Sequence, residues 1–498
     1  MTPRSESPRR QLLRLGFEDS ERAGDELAAL GEKAQPLVAI LARTADPDQA
    51  LGGLTRLAAR AGDGLVAELA DDEGTAMRLL SVLGASQALT DHLSRHIEQW
   101  RELTDPFLGS TRPPAYAVRS GLLRAVGAEP DAVHPTATLP RVEAADALRV
   151  EYRRVLVRLA ARDLTHHLGM DDAAAELSDL AAGTLEAALA IARSQVDGAE
   201  SARLAVIALG KCGGHELNYV SDVDVLYVFE PAEGADEAAA ARVATQLASL
   251  LMQVCSEHTH EGTIWPVDAN LRPEGKAGPL VRTLASHRAY YERWAKTWEF
   301  QALLKARPVA GDLDLGQQFV DLVSPMVWQV AEREGFVTDV QAMRRRVLEN
   351  IPAREAERQL KLGAGGLRDV EFAVQLLQLV HGRTDERLRN PATLSALDAL
   401  TRRGYVGRED GESLHRSYAF LRTLEHRIQL QHLRRTHVVP ADQASLRRIG
   451  RSMGFVKEPD KALEEAWTQH RREVRRLHEK IFYRPLLEAV ARVPAEGA

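Results

Sequence analysis

Residues 207–230 constrain the fold more than any other part of this chain. In "IALGKCGGHELNYVSDVDVLYVFE" (207–230) an apolar run breaks into Gly-Lys-Cys-Gly-Gly, and a second apolar run then carries two aspartates. Runs this short, rich in Val, Ile, Leu and Tyr, are predicted strands. Side chains alternate along a strand, so Asp222 and Asp224 share one face, and Val223, Val225 and Tyr227 take the other.

The flanks read differently. Residues 1–200 are expected to be helical: "ELAALGEKAQPLVAILARTA" and "AADALRVEYRRVLVRLAARDL" repeat apolar residues at helical spacing, and "LTDPFLGSTRPPAY" separates such stretches. Within 201–325, "LAVIAL", "DVDVLYVF", "TIWPVDANLRP" and "GPLVRTL" read as strands, with a helical insert at 236–258. From 326 to 490 long amphipathic helices return, as in "LHRSYAFLRTLEHRIQLQHLRR", and suggest a bundle; 491–498 reads as a tail. The expected class is α+β, mostly helical: a small mixed sheet between an N-terminal helical region and a C-terminal helical bundle, with a cleft between sheet and bundle.

A chain of 498 residues exceeds one core, so several domains are expected. With 64 basic and 71 acidic residues the net charge is −7, which argues against a nucleic-acid partner. Two cysteines, Cys212 and Cys255, make no disulfide framework, and a reducing cytoplasm is expected. The first 23 residues lack the apolar core of a secretory signal, and no run of 18 apolar residues suggests a membrane helix.

Two carboxylates on one strand face repel each other, and a hard divalent cation such as Mg²⁺ or Mn²⁺ resolves the conflict. The bland alternative is a solvated strand edge. The glycine-rich turn lets backbone approach a ligand, but it is no Walker A loop, because Cys212 follows Lys211. "TIWPVDANLRPEGKAGPL" adds a third carboxylate, Asp268. If its strand continues, Asn270 and Arg272 fall on the same face. Three carboxylates with cations nearby are what two-metal phosphoryl or nucleotidyl transfer requires.

These residues carry a resemblance. "GKCGGHELNYVSDVDVLYVFE" resembles the Gly-Lys-x-Gly-Gly-x-Glu-Leu-Asn-x-x-Ser-Asp-x-Asp signature of the glutamine synthetase adenylyltransferase/adenylyl-removing family, within the nucleotidyltransferase superfamily that includes DNA polymerase β. "VDANLRPEGKAGPLV" is similar to its third-carboxylate strand, "WEFQALLKARPVAGD" to the following helix and turn, and "KLGAGGLRDVEFAVQLLQL" to its Gly-Gly-Leu/Ile-Arg block. The likeness covers roughly residues 10–490. It implies Asp222, Asp224 and Asp268 as catalytic metal ligands. Full-length members carry two such units. One block with about 200 residues before it matches the adenylyl-removing half, which would use phosphate to release ADP from adenylyl-tyrosine on glutamine synthetase.

The remaining candidates each have two readings. Ser221 and the Gly210–Gly214 turn, with Gly213, contact phosphate or form a plain tight turn; Lys211 is a phosphate cation or a solvated loop charge. Arg272 and Lys276 flank the third carboxylate as phosphate cations. Lys305 and Arg307 cap the site or face solvent. A helix from Leu367 puts Arg368, Glu371, Gln375 and Gln378 on one stripe, lining a nucleotide cleft or a hydrogen-bond network. His258 and His260 after Cys255 suit a helix C-terminus better than zinc. Arg422, Arg427, Arg434 and Arg435 read as a solvated face. His215 and Asn270 stand where many relatives have arginine. Two alternatives remain: an ATP-dependent adenylylating enzyme, and a non-catalytic module sensing a PII signalling protein or glutamine. A nucleotidyltransferase acting on transfer RNA is the most distant.

Overall fold

The computed structural model describes residues 8–483 other than 63, 111 and 350, so the expected tail at 491–498 lies outside the described residues. The chain forms two compact units. One comprises Met1–Arg112, Arg153–Ala173 and Arg422–Thr468; the other comprises Pro113–Tyr152, Ala174–Leu421 and Gln469–Ala498. The anticipated breaks at 200 and 325 are not where these units divide. A change of sequence pattern marks where elements change type, whereas packing gathers segments from distant parts of the chain.

The first unit is helical. Acidic and hydroxyl caps start its helices: Asp19, Asp46, Asp72 and Ser86 each accept an amide N–H of the following turn. The stretch "ELAALGEKAQPLVAILARTA" is helical, as expected, but in separate pieces. Ser20–Leu30 stops at Gly31, whose φ of 81° ends the helix, and a short helix resumes at Leu37–Leu41. Arg422 and Arg427 correct the reading of a solvated basic face. Arg422 is buried against Glu425, and Arg427 grips Asp163 through both guanidinium nitrogens at 2.6 and 2.7 Å. Arg434 and Arg435 are exposed.

The second unit holds the sheet: β1 (Ala202–Ala208), β2 (Val223–Pro231), β3 (Val267–Asp268), β4 (Val281–Arg282) and β5 (Arg307–Gly311). The order is β3-β2-β1-β5, with β4 also pairing β2. β1 runs antiparallel to β2 and β5, while β3 and β4 run parallel to β2. β3 takes the start of β2, at Val223 and Asp224, and β4 takes Tyr227 and Val228 on the same edge. The class is thus α+β and mostly helical, with a small mixed sheet.

β5 was not expected, since "WEFQALLKARPVAGD" reads as helix and turn. The helix is Thr297–Leu303, and the residues after it close the open edge of β1. An edge strand tolerates Pro308 because one side needs no ladder donor. The insert Glu237–Ser256 is long and apolar enough, at a hydropathy of 1.2, to cross a bilayer. Here it packs on β1, β2 and β4. Its C-terminal carbonyls meet fully buried Arg149, whose guanidinium donates to Val254 and Glu257 at 2.8 and 2.7 Å and to Gly262 at 2.8 Å. That arginine complements the helix dipole, not His258 and His260, which are exposed.

Candidate functional site

β2 and β3 lie side by side with Asp224 opposite Asp268. Neighbouring strands sit about 4.8 Å apart, so the two carboxylates leave the sheet together, and Asp222 precedes Asp224 by two residues on that face. The expected trio is therefore assembled from two strands, with Asp224 and Asp268 44 positions apart in the chain. Its electrostatics are strained. Burial pushes the Asp224 carboxyl up to about 6; Asp222 and Asp268 add to the push, while Lys361 and Arg368 pull the other way.

The glycine-rich turn takes a different part from the expected one. Residues Gly210–Gly213 form one helical turn in which the Gly213 and Gly214 amides donate to Leu209 and Gly210 carbonyls at 3.0 and 3.1 Å. Those two N–H groups are used internally, so the reading of them as phosphate donors is corrected. The glycines permit close approach instead. Gly210, at φ +52°, leaves 2.7 Å between the place of a Cβ and an Asp224 carboxylate oxygen, and a Cβ on Gly213 would lie 2.0 Å from the Lys305 carbonyl. Ser221 is buried beside the pair.

The signature's other polar residues brace this turn. Lys305 is buried and ion-pairs with Glu216, which also accepts the Thr393 amide and hydroxyl. The Arg307 guanidinium donates to the Gly213 and Cys212 carbonyls at 3.2 and 2.8 Å. Neither cation caps the cleft. Lys211 donates to Asn218 at 3.2 Å, and Asn218 donates in turn to the Val220 carbonyl at 2.7 Å.

Arg272 and Lys276 also depart from expectation. The strand ends at Asp268, whose carboxylate accepts the Asn270 amide at 2.7 Å and turns the chain. Arg272 consequently leaves the strand face. Its guanidinium donates to the carbonyls of Ala269, Gly278 and Pro279 and fastens the loop. Lys276 is exposed on the turn Gly275–Ala277.

The cations acting on Asp224 come from another segment. The helix Leu367–His381 starts where expected and brings Arg368 within electrostatic reach of Asp224, with Glu371 one turn on at 3.8 Å from Arg368. Burial pushes Glu371 up, yet Arg368, Lys211, Lys305 and Lys361 together hold it below the usual carboxylate range. Further along the stripe, Gln375 accepts from Gln301 at 2.7 Å, and Gln378 donates to the Leu388 and Asn390 carbonyls, both at 2.7 Å. Gln375 and Gln378 therefore belong to a hydrogen-bond network. Lys361 was missed. It opens "KLGAGGLRDVEF", but its distance from the aspartates in sequence gave no sign that it returns to them.

The donor set fits a divalent cation: three clustered carboxylates, one buried and crowded by the others. Cys255, by contrast, is a fully buried thiol pushed up to about 12, so the soft-metal arrangement with His258 and His260 is not formed.

Comparison with known proteins matches two stretches of the chain. Residues 76–321 match the family profile of glutamate-ammonia ligase adenylyltransferase. Residues 341–482, which carry Lys361, Arg368 and Glu371, match a GlnD PII-uridylyltransferase profile. Similar curated proteins, each named bifunctional glutamine synthetase adenylyltransferase/adenylyl-removing enzyme, occur in Streptomyces avermitilis (57% identity, 98% of this chain, 48% of the relative) and Streptomyces coelicolor (55%, 100%, 50%). Another occurs in Mycobacterium avium (45%, 98%, 49%). The chain spans about half the length of these relatives.

Proposed function

Because this chain belongs to the glutamate-ammonia ligase adenylyltransferase family, we propose that its carboxylate cleft removes AMP from adenylylated glutamine synthetase by phosphorolysis. The observation that carries the reading is the Asp224–Asp268 pairing across parallel strands, with Asp222 on the same face and cations opposite. A phosphate oxygen bonds to the adenylyl phosphorus as the bond to the tyrosine oxygen breaks. ADP leaves, and the tyrosine oxygen takes up the proton given up by the phosphate.

Asp222, Asp224 and Asp268 would hold Mg²⁺, or Mn²⁺. The bound ion neutralises charge on the transferring phosphoryl group and orients the attacking and leaving oxygens. The chain's own residues supply the rest. Lys211, Lys361 and Arg368 set positive charge against the carboxylates and draw phosphate anions into the cleft. The match of residues 341–482 supports a PII signalling protein as a second partner.

The test supplies the chain with adenylylated glutamine synthetase, phosphate and Mg²⁺, and follows ADP release and the mass of the synthetase. Phosphorolysis requires ADP to appear as the AMP mass disappears, with both lost in Asp222→Ala and Asp224→Ala. AMP added to unmodified synthetase from ATP, without ADP release, would reverse the assigned direction.

A further inference from the structure

The loop before the helix Leu367–His381 is built to hold one side chain. The Leu367 and Arg368 amides donate back to the Leu360 and Lys361 carbonyls at 3.1 and 2.9 Å, so residues 360–366 fold onto the helix start. Glycines make the closure possible. Gly365 has φ +76°, and a Cβ there would lie 2.1 Å from the Arg471 carbonyl; a Cβ on Gly366 would lie 2.5 Å from the Leu360 carbonyl. Asp369 locks the loop: it accepts the Gly365 amide at 2.7 Å, pairs with buried Arg344, and has His478 at 3.9 Å. Gly365, Asp369 and Arg344 are all buried, whereas Lys361 is half-buried and Arg368 keeps a side-chain exposure of 32%. The anchored part of the loop is thus dry, and its two cations stay accessible.

The field they produce is directed. Lys361 acts on both Asp224 and Glu371, as does Arg368, so the two cations are shared between the catalytic strand and the helix. Arg368 is partly engaged, with Glu371 at 3.8 Å and its guanidinium 5.3 Å from the Phe372 ring centre. An ammonium is a compact point charge suited to phosphate oxygens, and this one is held by a rigid loop.

We propose that Lys361 is a phosphate-contacting residue of this site, taking the phosphate oxygens of the nucleotide or of inorganic phosphate. The inference rests on the phosphorolytic reading above. It moves the phosphate-binding role from Arg272 and Lys276, beside the third carboxylate, to a loop about 90 residues further along the chain.

The test compares wild type, Lys361→Met and Lys361→Arg in three measurements. These are ADP binding with Mg²⁺ by calorimetry, the phosphate KM in ADP release, and thermal melting. Lys361→Met should weaken ADP binding and raise the phosphate KM by about tenfold or more, while Lys361→Arg recovers most of both and neither changes the melt. A Lys361→Met protein within about twofold of wild type in both overturns this inference alone. Lys361→Met and Lys361→Arg both losing binding along with their melt would also overturn it, because a structural role would then account for the loss. Wild type that neither binds ADP nor releases it removes the phosphorolytic reading, and this inference with it.

Discussion

Replacing Lys305 by Met should destabilise the second unit severely, and replacing its partner as well should recover most of the loss. Lys305 and Glu216 form an ion pair whose side chains are only 6% and 10% exposed, and Thr393 supplies Glu216 with two further donors. At about 3 Å and an effective dielectric of about 20, the attraction is ~5 kcal/mol, most of it spent on desolvating the two charges. Removing the cation alone takes the Lys305 ion pair away from a buried carboxylate, which costs about 3–5 kcal/mol. Glu216→Gln with Lys305→Met removes both charges and keeps the Thr393 hydrogen bonds, so it should cost about 1–2 kcal/mol. Since Glu216→Gln alone adds its own loss, the coupling in the double-mutant cycle should be at least about 2–3 kcal/mol. Urea denaturation followed by tryptophan fluorescence, with activity measured in parallel, gives all four corners. A function test is built in, because the Lys305 carbonyl presses on Gly213 in the turn that borders Asp224. Additive losses, or a Lys305→Met loss under about 1 kcal/mol, would refute the argument that this pair is shielded from water.

Further predictions follow from individual contacts. Gly213→Ala places a Cβ 2.0 Å from one backbone carbonyl and 2.7 Å from another, so a loss of about 3 kcal/mol or more is expected in a melting experiment, with no soluble protein as the extreme result. In chelator, Asp224→Asn should stabilise the protein at pH 7.5 while abolishing activity. The wild-type carboxyl ionises near 6 when folded and near 3.8 when unfolded, so its penalty grows as pH rises between those values and is absent below them. The full difference is ~3 kcal/mol, and an equal gain at pH 3.5 would contradict it. His287 is buried beside Tyr291 and Phe319 and pushed down to about 3. Its contribution is complete above pH 6.5 and is lost as pH falls toward 3, so His287→Phe should flatten the acid side of a stability-versus-pH curve. Arg149→Met removes a guanidinium donor from four carbonyls and should cost about 3 kcal/mol or more by denaturant midpoint.

Local pattern determined much of this protein. Period-two alternation in "DVDVLYVF" placed Asp222 and Asp224 on one face, and the helical insert and the helix from Leu367 lie where their 3.6-residue period put them. These features depend on neighbours in sequence, and neighbours in sequence can be read. Which strand lay beside β2 was decided by pairing between residues 44 positions apart, which set Asp268 against Asp224. The end of that strand was decided by an Asp268–Asn270 turn, and this removed Arg272 from the face on which alternation alone had placed it. β5 exists because β1 had an open edge to pair, a fact about the sheet rather than about residues 307–311. Lys361 belongs to the site because glycines and Asp369 fold its loop back, and Arg422 lies in a core because the helices around it close over it. Charge in a sequence carries no sign of burial. Only packing determines whether a lysine meets solvent, a carboxylate or a substrate, because burial and pairing are long-range properties of the folded chain.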